Sequence, residues 1–133
     1  MGKWGSFEFD ELKQFGKNLK AMEKAYPKFM VECVHELANR LLAKTVPRTP
    51  SDKGDLRRGW TIGQVNVSSN GAQIEVFNPV AYSPYVEYGH RTANHQGWVE
   101  GRFMMTISVD ELEREIPAIM ERKMARFISR YLG

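Results

Sequence analysis

Apolar side chains return at alternating three- and four-residue steps from Leu12 through Phe15, Leu19 and Met22 to Tyr26, which traces one face of a helix. The pattern predicts a helix over 10–25, with the Asp10 carboxylate placed to accept an orphan backbone N–H as N-cap. Pro27 cannot donate to the preceding turn but suits the first turn of a new helix, so a second helix is predicted over 27–45. Its face of Met30, Val34, Leu37 and Leu41, widened by Phe29, Cys33, Ala38 and Leu42, makes it the expected main core element.

From 46 to 59 the periodicity stops. Pro47, Pro50, Gly54 and Gly59, with Arg48, Lys53, Arg57 and Arg58 among them, predict an exposed basic loop, flexible over 47–58. Two β-rich runs follow, at 59–67 and 72–77, joined by Asn70-Gly71. This predicts an antiparallel hairpin with a type I′ turn. Pro84 then opens a single helical turn carrying Tyr85, Val86 and Tyr88 to Gly89, and 90–101 is predicted to be a second flexible loop, with Trp98 in it.

Met105, Val109, Leu112, Ile116, Ile119, Met124, Phe127 and Tyr131 predict one long helix over about 102–131. Phe103, Met105, Ile107 and Val109 also alternate as a strand would, with Ser108 to Glu111 as a capping box, so strand and helix both stay open for 103–109. Pro117 suggests a break or a kink. Acidic residues from Asp110 to Glu115 precede the basic Arg122, Lys123, Arg126 and Arg130, which complements the helix dipole on what is expected to be a solvated face. The whole reads as one α+β domain over 1–133: a small antiparallel β-sheet packed by two N-terminal helices and one long C-terminal helix. Two strands are marginal alone, so further strands are expected from the irregular region, the Phe103 segment or a neighbouring subunit.

Length and composition fit this picture. At 133 residues a core can form without disulfides or structural metal, and the lone Cys33, at helical spacing among apolar neighbours, reads as a small buried hydrophobe. No window approaches the ~18 apolar residues of a membrane span and no leader pattern is present, so a soluble protein made in the cytoplasm is expected. A net charge of +3, from 19 basic and 16 acidic residues, is far from a concentrated phosphate-binding stripe, and nucleic acid is not indicated.

The densest chemistry lies in Tyr82 to Arg91, with three tyrosines, Glu87, a glycine, His90 and Arg91 in ten residues. Glu87, His90, His95 and Glu100 could supply metal ligands, but their spacing matches no closed site, and neither metal nor cofactor is expected. His35, on the second helix, reads as solvent-facing or hydrogen-bonded. No serine stands on a strand-to-helix elbow to serve as a nucleophile. The alternative with most support is a small basic nucleic-acid binder or metal-independent ribonuclease. It would use His90 or His95 as acid-base and Arg57, Arg58 or Arg91 on phosphate, although Glu87 and Glu100 interrupt the aromatic cluster.

Two stretches together resemble one family. Thr49-Pro50-Ser51-Asp52-Lys53-Gly54-Asp55-Leu56-Arg57-Arg58-Gly59-Trp60, and then Tyr82 to Thr92 followed by Gly97-Trp98-Val99-Glu100-Gly101-Arg102-Phe103-Met104, are similar to the tail-component, or tail-completion, proteins of long-tailed phages and prophages. Lys53 and Gly59 depart from the residues usual there. The resemblance implies a non-enzymatic structural protein of tail completion or head-tail joining, forming a ring-like homo-oligomer, with a hexamer as candidate size. Connector, tail-terminator or tail-tube proteins would be its partners. It would act in the host bacterial cytoplasm during assembly, with retention in the virion left open and no membrane involved. On this reading Tyr85, Glu87, Tyr88, His90, Arg91 and Trp98 lie at subunit contacts, and Arg57 and Arg58 on a partner-facing loop.

Overall fold

The computed structural model describes residues 2–52 and 54–133, with side chains from Asp10 onward. Two long helices dominate an α+β architecture: α1 (Gly2–Arg48) and α4 (Met104–Leu132). Between them lie α2 (Gly54–Gly59), the strands β1 (Thr61–Ile62), β2 (Asn66–Ser68), β3 (Gly71–Gln73) and β4 (Val76–Phe77), the turn α3 (Ser83–Tyr88), and β5 (Gly89–Arg91) with β6 (Trp98–Glu100).

The two N-terminal helices expected from the sequence are one. Pro27 sits inside α1, where it removes a backbone hydrogen bond and crowds the carbonyl four residues earlier, a cost of about 3 kcal/mol. Packing on both sides of the proline offsets it. Met22 and Ala25 before it and Phe29, Met30 and Cys33 after it all join the same cluster with Met120, Met124, Phe127 and Tyr131 of α4. Phe29 and Phe127 stack with ring centroids 4.2 Å apart, and Tyr26 meets Phe127 edge-on at 6.2 Å. Cys33 is buried there as expected, and desolvation raises its thiol above the ordinary value.

α4 runs antiparallel to α1, as the pairs across the seam show. Lys123 Nζ donates to Glu36 (2.6 Å) near the aromatic cluster, and Lys44 Nζ donates to Glu115 (2.8 Å) further along. Arg48 binds both oxygens of Glu111 and donates to Ser108 Oγ at 2.9 Å. The α4 charge run is therefore not simply a solvated face, because Glu111, Glu115 and Lys123 tie the two helices together. Residues 103–109 resolve as helix from Met104 on, and Pro117 lies within that helix.

The region expected as a flexible basic loop is folded back on the end of α1. Thr49 and Leu56 are fully buried. Arg57 Nε donates to the Thr49 carbonyl (2.7 Å), the Trp60 indole N–H to Thr49 Oγ1 (2.8 Å), and Asn78 Nδ2 to the Leu56 carbonyl (2.7 Å). Carbonyls at a helix C-terminus lack intrahelical donors, and Arg57 and Asn78 answer two of them, while Trp60 is tied to the Thr49 hydroxyl.

The predicted hairpin forms, but in two pieces. β1 pairs with β4 (Thr61 opposite Phe77) and β2 with β3 (Ser68 opposite Gly71), both antiparallel. The register shifts by one residue between the two pieces, so residues 63–65 face only 74–75 and the ribbon carries a bulge. The turn is not type I′. Ser69 and Asn70 are its central residues, and of 69–71 only Gly71 has positive φ (137°). Residues 90–101 are not a plain loop either, because β5 and β6 form their own antiparallel hairpin. Among the described residues each sheet has two strands.

The seam predicts two outcomes. Phe127→Ala should cost about 3–5 kcal/mol in urea unfolding, because it empties the stacked centre of the cluster. Hydrogen bonds from Lys123 and from Arg48 hold Glu36 and Glu111 below the ordinary glutamate value of 4.5. A lowered folded pKa contributes stability above the unfolded value that is lost as pH falls through the folded one. The melting temperature should therefore drop on acidification below about pH 4.5, and Glu36→Gln with Glu111→Gln should flatten that limb.

Candidate functional site

The segment from Tyr82 to Phe103 forms one braced corner. Pro84 sets the first turn of α3, and Gly89 ends that turn at φ 90°, a conformation that favours glycine. The chain leaves along β5 and returns along β6, pairing Gly89 with Glu100, His90 with Val99 and Arg91 with Trp98. It then crosses behind α3, where Arg102 N donates to the Val86 carbonyl (2.8 Å) and Phe103 N to the Glu87 carbonyl (3.0 Å). The approach is close enough that a Cβ on Gly101 would lie 2.5 Å from the Glu87 carbonyl oxygen.

Glu87 is the keystone of this corner, and it is not at the surface. It is buried, and its carboxylate accepts from Met105 N (3.0 Å), Thr106 N (2.9 Å) and Thr106 Oγ1 (2.7 Å). These are first-turn donors of α4, whose own N-cap, Phe103, lies in the left-handed region (φ 49°) and offers no side-chain acceptor. Glu87 therefore caps a helix that starts 17 residues later, with its negative charge at the positive end of the helix dipole. Where a subunit contact was expected of Glu87, its carboxylate is taken up inside the chain.

The neighbours of Glu87 face outward. Tyr85 and Tyr88 on α3 are 58% and 63% exposed, and Trp98 on β6 is 57% exposed with Arg91 opposite it. His90 is half-buried, edge-on to Tyr85 at 6.1 Å, and lines with Tyr82, Tyr85, Val86 and Arg91 a groove of about 490 Å³. Its Nδ1 is buried with no hydrogen-bond partner among the described residues.

Arg57 and Arg58, expected on a partner-facing loop, differ in setting: the Arg57 guanidinium is turned to the Thr49 and Pro47 carbonyls, while Arg58 is exposed. Among the described residues no three His, Cys, Asp or Glu side chains converge as a metal-ligand set, and no helix is long and apolar enough to cross a membrane.

Sequence reasoning missed two brackets of the corner. Tyr82 donates its hydroxyl to the Asp55 carboxylate, joining α3 to α2. That bond holds Asp55 below the usual carboxylate range and Tyr82 above the usual phenol value. At the tip of the second hairpin, Thr92 N donates to the Gly97 carbonyl (3.0 Å), and Asn94 Oδ1 accepts from Thr92 Oγ1 (2.6 Å) and Gln96 N (3.1 Å). The bare start of α4, with no Ser, Thr, Asp or Asn at 103, was the signal that its cap had to come from elsewhere.

Glu87→Ala should cost about 1–2 kcal/mol, because it removes the acceptor that caps two part-buried first-turn donors of α4. Amide exchange at Met105 and Thr106 should accelerate more than exchange at Phe127 of the same helix.

Among known families, the chain matches the sequence profile of the HK97-gp10-like family, described as "Bacteriophage HK97-gp10, putative tail-component", over residues 13–89. That span holds α1 from its fourth turn, the first hairpin and α3 with its tyrosines. Neither the curated proteins nor the solved structures give a significant match. With more than half of its 133 residues matched, the chain belongs to the HK97-gp10-like family of phage tail components.

Proposed function

We propose that this tail component acts without chemistry of its own, in tail completion or head-tail joining, as a ring-like oligomer. The observation that carries the reading is the corner itself, where Tyr85, Tyr88 and Trp98 are exposed on a backbone held by the Glu87 cap and the Gly89 and Gly101 crossing. Large aromatic side chains contribute most to binding when their backbone is already fixed, since little conformational entropy is lost on contact. Exposed aromatic side chains on a fixed support suit a docking surface, and membership of a tail-component family makes other virion proteins its natural partners.

In this arrangement Tyr85, Tyr88, Trp98 and Arg91 meet a neighbouring subunit or the adjoining connector, tail-terminator or tail-tube ring. Glu87 serves the surface from behind by fixing α3 to α4. His90 adds the floor of the groove beside Tyr85, and exposed Arg58 remains on the partner-facing side.

The test is complementation of a phage from which this gene has been deleted, read by electron microscopy and by titre. Tyr88→Ala with Trp98→Ala should fold with an unchanged melting temperature yet weaken assembly by about a hundredfold, as loss of two central aromatic contacts does. Separate heads and tails should accumulate. Normal particles at normal titre from that variant would place the contact elsewhere.

A further inference from the structure

The charge of this chain is unevenly placed. Residues 13–30 and 120–133, which meet in the aromatic cluster of the seam, hold nine basic side chains against Glu23 and Glu121. Everywhere else acidic residues outnumber basic ones, so the net +3 is what two opposite excesses leave. Lys13, Lys17, Lys20, Lys24 and Lys28 recur at three- and four-residue steps and stand in one row along α1, about 22 Å long. All five are exposed, with no ion partner among the described residues. Glu23 lies about 100° round the helix from the middle of the row, and the α1 residues that pack on α4 lie opposite it.

Like charges three and four residues apart on a helix repel, so the row destabilises the free helix and an anion lying along it removes that cost. A second copy of the chain presents no matching row. Glu36, Asp110, Glu111 and Glu115 are already in ion pairs, Glu87 caps α4, and Asp55 accepts from Tyr82. An anionic bilayer would need apolar side chains to enter it with lysines at their edges. The exposed Leu12, Phe15 and Leu19 lie about 140° round α1 from the row, and Glu11 and Glu23 border them instead.

A nucleic-acid backbone meets the row as it stands. A duplex carries one negative charge per about 1.7 Å of axis, so the row spans many phosphates, and lysine meets each as a point charge with no fixed fork to align. The row holds no aromatic or amide side chain, which leaves nothing to read a base edge or to stack the bases of a single strand. Arg122, Arg126 and Arg130, exposed at the same end of the molecule and without ion partners among the described residues, add to the attracting field.

We propose that the lysine row of α1 binds the phosphate backbone of duplex DNA without regard to base sequence. This surface is separate from the aromatic corner, and the inference does not depend on the docking role given to that corner.

Fluorescence anisotropy of a short labelled duplex of mixed sequence, titrated with the full chain across a range of salt, tests it. The wild type should bind at low salt, and the logarithm of its affinity should fall against that of salt with a slope of about −4, as four or five phosphate contacts require. Lys17→Gln, Lys20→Gln and Lys24→Gln together, all at exposed positions, should keep the wild-type melting temperature, weaken binding roughly tenfold or more and make the slope shallower by about 3. Arg40→Gln with Arg114→Gln, which remove positive charge elsewhere, should leave the slope unchanged. No binding at low salt, an unchanged slope for the lysine variant, or an equal loss in the arginine variant would overturn the proposal. Tighter binding to polyglutamate or to vesicles rich in anionic lipid than to the duplex would do so too, by assigning the row to an acidic protein or a membrane. DNA binding that follows every arm, in a protein whose Tyr88→Ala with Trp98→Ala variant still assembles normally, would support this surface and sink only the docking role of the corner.

Discussion

The seam between α1 and α4 is the constraint on which everything else is hung. The first and last thirds of the chain must run antiparallel and in one register. Two unlike interactions fix that register at separate points. Aromatic stacking of Phe29 on Phe127 sets the depth of contact at one end, and the Arg48 guanidinium on Glu111 and Ser108 sets the alignment at the other. Apolar packing alone tolerates sliding by a turn, whereas a guanidinium held at once by a carboxylate and a hydroxyl does not. Everything between residues 49 and 103 is then a long excursion that leaves one end of α1 and must return to the start of α4.

The return is secured by directed hydrogen bonds rather than by hydrophobic burial. The segment between the helices has short strands and buries little of its apolar surface, with Leu56 its one fully buried aliphatic side chain among the described residues. Its joints are polar: Trp60 on Thr49, Asn78 on Leu56, Tyr82 on Asp55 and Glu87 on the start of α4. Such joints are directional. They hold an exposed surface in one shape where a thin core could not, and they leave the aromatic side chains of α3 and β6 facing outward.

Periodicity made the helical stretches of α1, the long α4, the first hairpin and the Pro84 turn legible, because each rests on local rules of spacing, proline and glycine. The readings that failed depended on distant partners. Pro27 looked like a boundary because its cost is local, while the cluster that offsets it comes from α4. Arg57 looked like a free surface cation because the carbonyls it binds belong to the end of another helix. Glu87 stood out in the sequence for the right reason, a carboxylate among tyrosines, but its donors lie across a hairpin whose strands are too short to show alternation. The family resemblance survived these local errors because it rested on whole runs of residues.

Cys33, the one thiol, lies at 1% exposure in the aromatic end of the seam, with burial holding it protonated. Thiolate is the reactive form, so a thiol reagent in solution meets it only when α1 and α4 part. The chain thus carries a built-in chemical clock for its own opening. The labelling rate reports how often the two helices separate, and a neighbour that clamps them together would slow that rate without touching the cysteine.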